Sequence, residues 1–167
     1  KYHFALKHPH VALTKDEMDS DFGKRFYIQD LSRDDKVKNN KIQVRKDADK
    51  EFIKVSSDKK NMRRILRLLA QVNPDRLTDE QVENQLYELK DKSPMKFLKI
   101  AIDKNLELKA EVEEMVTAGV LRKIGNQVIF IDEVLGDTLD NTVVYLKDKK
   151  NSSTLTVLRA KLKELAV

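Results

Sequence analysis

Two kinds of hydrophobic spacing run along the chain, and they change over near residue 58. Before that point the apolar residues come in short clusters. Tyr2, Phe4 and Leu6 alternate with His3, Ala5 and Lys7, the period of a half-buried strand. Lys24-Arg25-Phe26-Tyr27-Ile28, Ile42-Gln43-Val44-Arg45 and Phe52-Ile53-Lys54-Val55 supply three more short strand candidates. Polar stretches separate them, a turn at Asp30 to Arg33 and the charged run Asp34 to Lys41. A segment of this kind buries too little apolar area to offset the cost of ordering it. The expectation is an extended arm with β pieces. It becomes ordered by packing on the helical part of the same chain or on a neighbouring subunit.

After residue 58 the period is that of helices. Met62, Ile65, Leu66 and Leu69 fall on one face, opposite Arg63, Arg64 and Arg67. Asn73-Pro74 ends this helix, because the residue before proline is pushed out of the α region. Thr78-Asp79-Glu80-Gln81 has the spacing of a capping box and opens a helix buried through Val82, Leu86 and Leu89. Ser93-Pro94 opens another through Phe97, Ile100 and Ala101, with proline at the first helical position. A further helix carries Leu108, Val112, Met115 and Val116 and stops at Gly119, a left-handed cap. A tight turn at Gly125 then closes a two-stranded ribbon, and Leu135-Gly136 leads into helices over 138–147 and 153–165.

Composition narrows the class. The chain has 167 residues, 40% hydrophobic and 37% charged, with four glycines and three prolines, which suits a helix-rich domain with a solvated surface. No apolar run approaches the roughly 18 residues that span a bilayer, so no membrane partner is expected. Cysteine is absent, which removes disulfides, thiolate catalysis and cysteine-type zinc sites. The net charge of +5 is concentrated early: residues 1–60 hold 15 Lys and Arg against 11 Asp and Glu, and residues 61–167 hold 18 against 17. Such a bias permits contact with nucleic acid without requiring it.

Candidate chemistry is sparse. A metal would draw on His8 and His10, with Asp16 or Asp19, but proximity in sequence supplies neither convergence nor a second shell, so no metal or cofactor is expected. The carboxylates at Asp16-Glu17 and at Glu111, Glu113 and Glu114 sit among charges, where neither member of a pair is kept protonated for acid–base work. There is no GxSxG, Walker-type loop, GxGxxG or HExxH. The strongest cationic feature is Lys59-Lys60-Asn61-Met62-Arg63-Arg64-Ile65-Leu66-Arg67, which on a helix places Arg63 and Arg67 one turn apart. Such a stripe suits phosphate oxygens. The plainer reading is a solvated helix face, or arginines paired with acidic side chains of another subunit.

Residues from about 108 to 165 resemble the C-terminal accessory domain of RecA-type recombinases. The resemblance rests on a helix followed by Ala118-Gly119-Val120-Leu121-Arg122-Lys123 and Gly125, a short ribbon, Leu135-Gly136, Asn141 and Tyr145-Leu146-Lys147. It implies contact with duplex DNA through a small module that includes Arg122 and Lys123. The chain departs from that pattern at Asn126 and Gln127, where the family has aromatic residues, and at Gly136-Asp137-Thr138, where it has Gly-Gln-Gly. The layout as a whole looks like that of small accessory proteins of tailed phages.

The expected fold is therefore α+β: an arm over 1–58, a helical segment over 59–104 and a helix–ribbon–helix module over 105–167. The expected function is non-enzymatic, a structural or accessory subunit of a larger assembly such as a phage virion. It would be found in the virion or the host cytoplasm and would have other protein subunits as partners. The alternative is a small DNA-binding protein that sets Lys59, Lys60, Arg63, Arg64, Arg67, Arg122 and Lys123 on phosphates.

Overall fold

The computed structural model of the chain describes residues 7–28, 31–70 and 72–165, the side chains of 31–34 excepted. The strand expected at Tyr2 to Leu6, His3 and Asp30 lie outside the described residues. The chain divides into two compact units, Lys1–Val44 and Arg45–Val167. Helix and strand are mixed, as an α+β chain requires.

The first unit is a small β–α–β turn. Strand β1 (Val11–Ala12) pairs in parallel with β2 (Phe26–Tyr27), and helix α1 (Lys15–Ser20) connects them. Thr14 caps α1 by accepting from the Glu17 amide at 3.0 Å, while the Glu17 carboxylate reaches back to the Leu13 amide at 2.9 Å. Ala12 is fully buried between these pieces. Lys24 donates to the Val11 carbonyl at 3.2 Å, and a His10 ring nitrogen lies 2.8 Å from the Gly23 carbonyl.

Helix α2 (Leu31–Ser56) corrects the reading of the arm. The charged run Asp34 to Lys41 and the two strands expected at Ile42–Arg45 and Phe52–Val55 are all parts of this one helix. Val37, Val44, Ala48, Phe52 and Val55 recur at intervals of three, four and seven. No glycine or proline interrupts the helix. That longer period outweighs the local β preference of Ile42, Val44, Ile53 and Val55.

The second unit holds two apolar cores. Helix α3 (Lys59–Ala70) begins at Asp58, whose carboxylate accepts from the amides of Lys60 and Asn61 at 3.0 and 3.1 Å. Its Met62, Ile65 and Leu66 form the first core with Ala48 and Val55 of α2, with Val82 and Leu86 of α4 (Asp79–Lys92), and with Phe97 of α5 (Pro94–Ala101). The Thr78 capping box is complete, its side chain bonded to the Gln81 amide and Gln81 bonded to the Thr78 amide. Asn73-Pro74 forms a single 3-10 turn between α3 and α4.

Helix α6 (Leu106–Thr117) places Leu106 in the first core and Leu108, Val112 and Met115 in the second. It ends in a Schellman motif: Gly119 has φ +80°, Val120 donates to the Met115 carbonyl at 2.9 Å, and Gly119 donates to Val116 at 3.1 Å. The ribbon that follows has three strands rather than two, β3 (Arg122–Ile124), β4 (Gln127–Phe130) and β5 (Glu133–Gly136), all antiparallel in that order. Gly125 turns the first hairpin at φ +61°. Ile131 turns the second at φ +57°, the only non-glycine in that region among the described residues. Leu135-Gly136, expected as a lead-in, is the third strand because Gly136 lies against the start of α7 (Leu139–Lys147). A Cβ there would fall 2.4 Å from the Thr142 amide nitrogen. Helix α8 (Ser152–Leu165) closes the second core with Leu158.

Candidate interaction surfaces

The cationic stripe of α3 folds onto the chain's own acids. Lys59 lies 2.6 Å from Asp79, and Arg63 lies 2.7 Å from the same carboxylate. Arg63 also donates to the carbonyls of Pro74 at 2.5 Å and Leu77 at 3.1 Å. Arg64 pairs with Glu107 and donates to Asn61 at 3.0 Å. Arg67 bridges Asp75 at 2.5 Å and Glu114 at 2.9 Å, with 9% of its side chain exposed. The sequence reading sets these arginines on a face away from the core. Instead α4, α5 and α6 wrap α3 so widely that they cover the flanks of its apolar stripe, and Arg63 and Arg67 lie under that cover. Among the described residues Lys60 forms no ion pair. Lys59, and then Arg63, hold the Asp79 carboxyl below the usual carboxylate range.

Lys60, Arg63, Arg64 and Arg67 line a cleft of 540 Å³ between α3, α6 and α8, from which Lys59 and Asp79 are absent. Arg159 and Lys163 add two cations from α8, and Arg159 grips Glu111 through two bonds of 2.6 and 2.8 Å. Arg122 and Lys123 are not in the cleft. Lys123 lies 2.8 Å from Glu113, while Arg122 donates to the Ile131 carbonyl and stands 3.6 Å from Asp132. The two cationic sets meet only through neighbouring residues of α6, Glu113 for Lys123 and Glu114 for Arg67. A phosphate reaching Arg64, Arg67 or Arg159 would have to displace carboxylates already in place.

A buried lysine escaped the sequence reading. Lys90 of α4 is 3% exposed, bonded to Asp49 of α2 and to Asp91 at 2.9 Å, with its ammonium 4.1 Å from the Tyr87 ring centroid. Burial opposes its charge, but Asp49 and Asp91 outweigh burial and raise its pKa above the usual lysine value. The signal was hidden because Asp49 and Phe52 share a helical face with the core only once α2 is recognised as a helix. Among the described residues no group of three or more His, Asp or Glu side chains is placed to hold a metal, and no buried side-chain polar atom lacks a partner.

The surface also carries large apolar side chains. In the first unit Phe22 is wholly exposed and Phe26 is 66% exposed. In the second, Met95 and Ile102 open into a groove of 590 Å³ between the C-terminal half of α2 and α5, while Ile124, Ile131 and Val134 lie exposed on the three-stranded sheet. No helix of the described residues is long and apolar enough to cross a membrane. The chain matches no protein-family model, no curated protein and no solved structure.

Proposed function

We propose that the chain is a non-enzymatic structural or accessory subunit of a larger assembly, acting through contacts between proteins, with a phage particle as the setting its layout fits. One observation carries this reading. The side chains best suited to phosphate are spent on carboxylates within the chain, whereas Phe22, Met95 and Ile102 stand in solvent without an apolar neighbour to cover them. Large apolar side chains left in solvent on a folded unit mark surfaces that other proteins cover. The arginines of the cleft are each held by a carboxylate, Arg64 by Glu107, Arg67 by Glu114 and Arg159 by Glu111.

The test is a titration of labelled duplex DNA with the full chain, read by fluorescence anisotropy across a salt series. The expected result is no binding at physiological salt. Binding that falls steeply as salt rises and is weakened by Lys59→Ala with Lys60→Ala overturns the assembly reading in favour of DNA.

A further inference from the structure

We propose that the groove between α2 and α5 receives an amphipathic helix of a partner protein, with its apolar stripe on Met95, Leu98 and Ile102 and its flanks acidic. This rests on the assembly reading above. The two walls are stripes of the same spacing, Asp47, Lys50, Glu51 and Lys54 on α2, and Met95, Leu98 and Lys99 on α5 with Ile102 at its C-terminal cap. Each stripe covers two turns, about 10 Å along a helix axis. Met95 and Ile102 are 63% and 64% exposed, while Leu98 is half-buried and packs down on the first core. The floor is thus anchored from below and open above. A helix that places apolar side chains at i, i+3, i+4 and i+7 fills such a trough, and methionine adapts to the side chains that enter.

Charge selects the occupant. Helix α5 has no acidic residue, and its exposed side carries Lys96 and Lys99, with Lys92 just before it. On the α2 wall Lys54 is taken by Glu51 at 2.8 Å, whereas Lys50 and Lys99 form no ion pair among the described residues. The α2 wall also carries Asp47, so the lining sets Lys50, Lys54 and Lys99 against Asp47 and Glu51, an excess of one cation beside an apolar floor, and Lys92 and Lys96 add to it from around α5. Glu or Asp flanking the incoming stripe complements that rim, and a basic flank is repelled by it.

The probes are two labelled helical peptides of about 18 residues, long enough to hold helix in water. Both carry leucines at i, i+3, i+4 and i+7, one with glutamate flanks and one with lysine flanks. With the full chain, the acidic peptide is expected to bind and the basic one not. Ile102→Asp should weaken the acidic peptide roughly tenfold or more, the size of effect seen when an interface anchor is lost. Lys50→Glu with Lys99→Glu should weaken the acidic peptide and admit the basic one. Ile102 and both lysines are exposed, and circular dichroism checks that the variants fold.

Failure of both peptides to bind, equal binding of the two, or indifference to Ile102→Asp overturns the proposal. So does self-association that Ile102→Asp abolishes, which assigns the groove to a second copy of the chain. The assembly reading fails on a different readout, the DNA titration, so the two failures are distinguishable.

Discussion

Arg67 of α3 reaches Glu114 of α6 at 2.9 Å from a position on the edge of the first core. Asp75 holds the other side of the same guanidinium, so one side chain fastens the 3-10 turn and α6 to α3. Both carboxylates are about half exposed and remain solvated when the arginine is lost, which places the cost of Arg67→Ala below that of stranding a buried ion. We expect a loss of roughly 2 kcal/mol in urea denaturation, with little dependence on salt because the cation is screened from it. A change smaller than that of an exposed control, Lys59→Ala, would show that the clamp is not structural.

Asp79 ties Lys59 and Arg63 to the start of α4, and its folded pKa is below the ordinary carboxylate value. Such a group stabilises the fold fully above its unfolded pKa, and the contribution disappears as pH falls through the folded one. Asp79→Asn should therefore lower the thermal midpoint at neutral pH and converge on the parent protein in acid. A gap that persists unchanged in acid would assign the effect to packing rather than to charge.

Lys90 shows the opposite sign. Its raised pKa means that its charge supports folding fully below the usual lysine value and is lost as pH rises through the folded one. Lys90→Met keeps the aliphatic stem beside Phe52 and Tyr87 and should cost less than about 1.5 kcal/mol, whereas Lys90→Ala opens space and should cost roughly 2–3 kcal/mol. Equal losses in the two variants, by chemical denaturation, would mean that the ammonium matters more than the stem.

Two glycines serve different needs. Gly119→Ala meets open space but must hold φ +80°, a cost of about 1–2 kcal/mol that Gly119→Asn should reduce. Gly136→Ala has no such conformational problem and instead drives a methyl into the backbone of α7, an overpacking cost of roughly 1–3 kcal/mol that asparagine should make worse. Relief by asparagine at position 136 would contradict the close approach.

Much of the second unit was legible because its signals are local. Thr78 with Gln81, Ser93-Pro94, Gly119 and Thr138 each mark a boundary through bonds or dihedrals within a few residues. Phe26-Tyr27 was legible as a strand, though not its parallel partner at Val11-Ala12. Ile42 to Arg45 and Phe52 to Val55 each have the composition of a strand when taken as a short window, whereas both belong to α2. Ala48 lies between them and faces the first core with Phe52 and Val55, one turn beyond half-buried Val44, and no short window contains it together with both ends.

The cations of α3 could be named from sequence, but their carboxylate partners could not. Asp75, Asp79, Glu107 and Glu114 come from three later elements, and only packing brings them to one helix. The groove was hidden for a related reason. One of its walls belongs to the stretch read as strands, so Met95 and Ile102 had no visible counterpart.

The second hairpin turn has a consequence for how the sheet comes apart. Ile131 is β-branched and sits at φ +57°, so its backbone occupies a region that disfavours such side chains, and 61% of the residue is exposed. The Gly125 turn adopts a similar dihedral without that penalty. Local opening of the three strands should thus begin at residues 131–132, and amide exchange should be fastest there and slower at the Gly125 end. The Arg122 guanidinium, bonded to the Ile131 carbonyl, then works as a latch on the loosest corner of the sheet.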